Sequence, residues 1–185
     1  EYLYLNFHVK PVIVIKHPLS FIASLKRVNW WPHLGEINDQ ESLIIDHFSN
    51  EKDWVKSDFS DPVIAAAAYW RATYKVLLSQ AERYPEWIIV THEELCQEPV
   101  PVFKNLFLAL DLPWSDTVRQ YINSSTQASS STEARKDLVQ DFKRKSSGIF
   151  KARCQSLTPE ERESIFEVVE DIALQVYPRS SFFID

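Results

Sequence analysis

Residues 12–24 read Val12-Ile13-Val14-Ile15-Lys16-His17-Pro18-Leu19-Ser20-Phe21-Ile22-Ala23-Ser24. The β-branched run Val12–Ile15 follows Pro11 and stops at Lys16-His17-Pro18, the pattern of a short buried strand leaving a sheet. Pro18 suits the entry of a helix, whose apolar face is Phe21, Ile22 and Leu25, interleaved with Ser20, Ser24, Lys26 and Arg27. A second strand is predicted at Trp87–Val90, and Thr91-His92-Glu93-Glu94-Leu95 opens a helix after it. Between them, Asp61-Pro62 is an N-cap followed by proline at the first helical position, and apolar residues sustain that helix toward Tyr84, where Pro85 stops it. Two strands separated by a long helix, each releasing polar residues at its C-terminal end, predict an α/β fold on a parallel sheet. Ligands of such sheets sit at those strand ends.

Outward from this frame, Glu41–Phe48 and Val102–Leu110 read as amphipathic helices. The Ser/Thr-rich stretch Ser124–Thr132 has no apolar period and is predicted to be a mobile loop. Thr158-Pro159-Glu160-Glu161 is a capping box that starts the last helix, with Ile165, Val168, Val169, Ile172 and Val176 as its buried stripe. The alanines of 65–68 suit close helix packing. No internal repeat is visible.

The composition fits one globular domain over residues 1–185, with 45% hydrophobic residues to build a core. Average usage would give about 13 glycines, but only Gly35 and Gly148 occur, which excludes collagen-like and Gly-rich chains. No apolar run is long enough for a membrane span. A net charge of −6 argues against a nucleic-acid-coating protein, which needs clustered Lys and Arg and a basic field. Cys96 and Cys154 stand apart with no CxxC spacing, so neither a zinc ribbon nor a disulfide framework is indicated, and a reducing, cytoplasmic setting is expected. No leader sequence opens the chain, so a signal peptide is absent or lies upstream of Glu1. The lack of any methionine points to an excised fragment or to a sequence from which some residues are missing.

The sharpest chemical feature is a cation at a strand end, Lys16, with a hydroxyl eight residues later, Ser24. With the amides of the helix start, both could reach one phosphate; a solvated lysine and an incidental serine account for these two residues equally well. A basic cluster, Lys143-Arg144-Lys145, precedes Ser146-Ser147-Gly148. No His-x-x-His, His-Glu-x-x-His or Cys-His spacing supports a metal. Glu93 and Glu94, adjacent on a helix, do not form a cooperating acid pair and suit capping or a contact to the basic segment.

Taken together, these segments resemble the sulfotransferase family that uses 3′-phosphoadenosine 5′-phosphosulfate. Lys16, Pro18 and Ser24 fall on its Arg-x-Pro-x-x-x-x-x-Ser strand-loop-helix. His92-Glu93-Glu94-Leu95 with Pro99 is similar to its (Tyr or His)-Glu-(Asp or Glu)-Leu-x-x-x-Pro segment, and Lys143-Arg144-Lys145-Ser146 to the basic segment before its last helix. The resemblance implies an α/β three-layer sandwich with a central parallel sheet, P-loop NTPase-like. It implies that Lys16 and Ser24 hold the 3′-phosphate, that His92 lies near the adenine, and that Lys143, Arg144 and Lys145 complete the phosphate clamp. Lys16 departs from the usual Arg and so offers a point charge instead of a fork. Lys145 stands where many relatives have glycine, and Gly148-Ile149-Phe150-Lys151 only partly echoes the Gly-x-Trp-Lys feature. The loop that holds the 5′-phosphosulfate has no counterpart here, so the chain is expected to lack the N-terminal strand-loop-helix of the domain.

The implied activity is sulfonate transfer, without a metal, to a hydroxyl or amine of a small-molecule or carbohydrate acceptor. No catalytic base is assigned. His8 lies before the first strand; His33, beside Trp30 and Trp31, suits either an acceptor site or an aromatic cluster; His17 and His47 match no motif. The same residues also allow a P-loop kinase of the same fold or a non-catalytic nucleotide-binding module.

Overall fold

The computed structural model describes residues 1–57, 59–127 and 145–183. Its elements are α1 (Tyr2–Phe7), β1 (Val12–Ile15), α2 (Pro18–Val28), α3 (Gly35–Asn38), α4 (Glu41–Phe48), α5 (Lys52–Val55), α6 (Pro62–Arg83), β2 (Ile88–Thr91), α7 (His92–Gln97), α8 (Pro99–Ala109), α9 (Asp116–Thr126), α10 (Ile149–Cys154), α11 (Pro159–Ala173) and a 3-10 turn, Arg179–Phe182. The strand at Val12–Ile15 and the helix at Glu41–Phe48 have the bounds their sequence predicts. No helix of the described residues is long and apolar enough to cross a membrane.

The three-layer sandwich with a central parallel sheet is not what these elements build. Among the described residues the structure is mostly helical, 65%, and its one sheet has two strands, β1 and β2. They pair in parallel, Val12 opposite Ile88 through Ile15 opposite Thr91. The physical reason is that a four-residue apolar run specifies a strand without specifying how many neighbours it has. The described segments between and after the two strands carry helical periodicity and caps, so they add helices and no further strand to this sheet.

By its contacts the chain divides into two compact units, one made of Glu1–Lys16 and Trp87–Arg153, the other of His17–Glu86 and Cys154–Asp185. The first holds the sheet. Ile13, Ile15 and Val90 are buried, Tyr4 packs edge-on against Trp87 at 5.6 Å, and Lys10 pairs with Asp111. The chain then runs through α7, α8 and α9. Ser124–Thr132 departs from the predicted loop, because α9 continues through Thr126. The hydroxyls of Ser124, Ser125 and Thr126 donate to the carbonyls of Tyr121 and Ile122, so side chains that favour turns bond back along the helix. The rest of that stretch lies outside the described residues.

The second unit is a helical packing. Asp61 caps α6 by accepting from the Val63 amide at 2.7 Å. Ala66, Ala67, Ala68 and Ala72 are fully buried on this helix, small enough for α11 and α2 to approach closely. Thr158 and Glu161 form the capping box of α11, which buries Ile165, Phe166, Val169 and Ile172. Arg71 of α6 ties three helices: it reaches Asp171 of α11 at 2.5 Å and Glu51 before α5 at 2.7 Å, and lies over the Trp54 ring at 4.3 Å. His17, which matches no sequence motif, is the buried cap of α2. Its Nδ1 accepts from the Leu19 amide at 3.2 Å, its Nε2 meets Ser181 Oγ at 2.9 Å, and Tyr177 and Phe182 pack on the ring.

Truncating the fully buried Ile165 to alanine is expected to cost ~2–5 kcal/mol in urea denaturation, the range for large-to-small core changes. Asp61→Ala, which removes only a cap, is expected to cost about 1 kcal/mol in the same measurement.

Candidate functional site

Because Ile15 stands opposite Thr91, the next residues, Lys16 and His92, leave the two strands side by side at their carboxyl ends. Both are half-buried, and the Lys16 charge acts on the His92 imidazole. The backbone register thus brings two basic side chains together, an arrangement that suits a negatively charged group.

Thr91 turns the chain from strand into helix. Its Oγ1 accepts from the Glu94 amide at 3.1 Å, and the Glu94 carboxylate accepts from the Thr91 amide at 2.8 Å, a complete capping box. Glu94 is thereby a cap, one of the two roles its sequence context suggests. Glu93 is buried instead, with Oε1 at 3.7 Å from His92 Nδ1. One turn further, Cys96 Sγ lies 3.7 Å from both ring nitrogens of His92.

These neighbours push the His92 pKa from 6.5 up to about 9. The Cys96 sulfur contributes most and the Glu93 carboxylate next, while burial and Lys16 oppose them. The ring is therefore an imidazolium at neutral pH. A raised pKa in the folded state means that protonation favours folding. This contribution is complete below about pH 6.5 and is lost as pH rises through about 9.

Lys145 and Ser146 join the same unit. Gln127 and Lys145 form an antiparallel bridge, the Ser146 amide donates to the Thr126 carbonyl at 2.9 Å, and Ser146 Oγ donates to the Cys96 carbonyl at 2.9 Å. A cavity of about 490 Å³ opens here, lined by Cys96, Gln97, Pro99, Thr126, Gln127, Lys145, Ser146 and Ser147. That volume is within the ~300–1,000 Å³ of small-molecule sites. Among the described residues its lining offers an ammonium, hydroxyls and carboxamides, donors that suit a polar anion.

Of the residues singled out from sequence, Lys16, His92 and Lys145 fall within one unit. Ser24 belongs to the other, where its hydroxyl donates to the Ser20 carbonyl at 2.7 Å. Lys143 and Arg144 lie outside the described residues. His8 is exposed and ends α1 in the left-handed conformation, φ 52°. His33 is exposed, as is Trp30, whereas Trp31 Nε1 donates to Asn29 Oδ1 at 3.0 Å. Among the described residues no group of three or more His, Cys, Asp and Glu side chains is placed to hold a metal. Sequence reasoning missed the contact of Cys96 with His92; the signal was their i, i+4 spacing on a helix, which stacks the two side chains on one face.

The chain matches no family model, no curated protein and no solved structure.

In an NMR titration the His92 ring protons are expected to move with a midpoint near 9, well above the 6.5 of an isolated imidazole. Glu93→Gln removes one of the two groups that stabilise the charged ring and is expected to lower that midpoint. A His92 midpoint at 6.5 in the wild-type chain would show that neither neighbour acts on the ring.

Proposed function

We propose that the chain binds 3′-phosphoadenosine 5′-phosphosulfate by its 3′-phosphate and serves transfer of the sulfonate to a hydroxyl or amine of a small-molecule or carbohydrate acceptor. One observation carries this reading. Three segments far apart in sequence, each resembling a nucleotide-binding segment of such sulfotransferases, contribute to one unit: Lys16 and His92 directly follow adjacent parallel strands, and Lys145-Ser146 is fastened to the helix that His92 opens. Lys16 supplies a half-buried point charge, His92 an imidazolium, and Lys145 an exposed ammonium beside a cavity in which none of the described lining residues is a carboxylate. A phosphate dianion needs such charge-assisted donors from several elements to repay its desolvation.

In the proposed reaction the acceptor forms its bond to sulfur as the bond from sulfur to the 5′-phosphate oxygen breaks, and the acceptor's proton passes to a base. The residues named here act on the other end of the nucleotide. They fix its position and so the line of attack.

Calorimetric titration with 3′-phosphoadenosine 5′-phosphate tests this directly. It is expected to bind far more tightly than adenosine 5′-phosphate, and Lys16→Ala is expected to weaken it by about 1.5–3 kcal/mol, the scale of one charged hydrogen bond. Equal affinity for the two nucleotides would overturn the assignment, and a preference for ATP with Mg²⁺ would move it to a phosphoryl-transfer enzyme.

A further inference from the structure

The two cysteines of the chain, neither of them in a disulfide, have opposite surroundings. Cys154 is fully buried, 0% exposed, while Cys96 is half-buried, lines the Lys145 cavity, and lies 3.7 Å from the His92 imidazole. His92 is in turn within 3.7 Å of the buried Glu93 carboxylate. Sulfur, imidazole and carboxylate form one cluster around the His92 ring, and it opens onto a cavity whose lining, among the described residues, holds the Lys145 cation and no carboxylate.

We propose that Cys96 is a covalent modification site that takes small anionic disulfides through the Lys145 cavity. The Cys96 thiolate attacks one sulfur of the disulfide, the bond between the two incoming sulfurs breaks, and a mixed disulfide forms on Cys96. The other half of the disulfide leaves as a thiolate and the proton of the Cys96 thiol passes to solvent, so atoms and charge balance while His92 keeps its proton. No further oxidant is required, because the incoming disulfide is itself reduced as Cys96 is oxidised. The transition state spreads one negative charge over three sulfurs, which the adjacent imidazolium stabilises, and Lys145 attracts an anionic reagent over a neutral one. This inference rests on the side-chain geometry alone and stands whether or not the cavity takes a nucleotide.

The probe is 5,5′-dithiobis(2-nitrobenzoate), a dianionic disulfide, with neutral 4,4′-dithiodipyridine as its counterpart and a linear peptide of residues 92–98 as the reference thiol. In the native full chain one equivalent of thiol is expected to react, mapped to Cys96 by mass spectrometry, with Cys154 reacting only on unfolding. Relative to the peptide, the anionic reagent is expected to be favoured over the neutral one by roughly ten-fold, and His92→Gln to slow Cys96 by a similar factor, about one charge-assisted contact each. Cys154 reports on the fold: if it reacts in the His92 variant, the exposed substitution Lys145→Gln replaces that arm and is expected to remove the anionic preference alone. The proposal is overturned if Cys96 reacts no faster than the peptide, or if its rate is unchanged by His92→Gln in a chain whose Cys154 stays silent. It is also overturned if Lys145→Gln keeps the full preference for the anionic reagent.

Discussion

The register between two four-residue strands sets where the charged groups of the candidate site stand. Parallel pairing of Val12–Ile15 with Ile88–Thr91 puts Ile15 across from Thr91, and every later feature of the site follows from that alignment. A slip of one residue would move Lys16 about 3.3 Å along its neighbour and turn alternate side chains to the other face. So short a ladder is weak by itself. Its register is held by the burial of Ile13, Ile15 and Val90, apolar residues that a slipped strand would expose.

The second constraint is the turn at Thr91, which is both the last residue of a strand and the cap of the following helix. Because the capping box fixes the first turn, His92 occupies the first helical position and Cys96 lies one turn above it. The charge of the imidazole is thus a product of backbone geometry: the helix delivers a sulfur and a carboxylate to a ring that the strand has already placed beside a lysine. The same helix accepts the Ser146 hydroxyl at the Cys96 carbonyl, so a segment distant in sequence is fastened where the ring is charged.

The local grammar of the chain was legible because its signals are short-range. Asp61-Pro62 and Thr158 with Glu161 name their own helix starts, and the apolar run Val12–Ile15 names its strand. The extent of the sheet was not legible, since the neighbours of a strand are decided by segments many residues away and two strands satisfy the same pattern as six. The serines near the end of α9 misled for a related reason: their hydroxyls can bond to the backbone within a helix as well as in a turn, and composition does not say which. At the site, Lys16 and His92 could be read as strand ends. That they stand next to one another required the register.

The division of the chain into interleaved units carries a consequence for how the protein is made. The unit with the two strands is interrupted by the whole of His17–Glu86, which belongs to the other unit. A chain that emerges from its N-terminus at roughly 5–20 residues per second completes β1 seconds before β2 exists. For that interval the first strand is an unpaired apolar segment, the kind of edge that recruits other chains. Its ladder also closes only after the long intervening stretch is looped out, and loop-closure entropy makes such distant pairing slow. The candidate site is therefore assembled late, and any nick within His17–Glu86 leaves Lys16 and His92 on separate fragments.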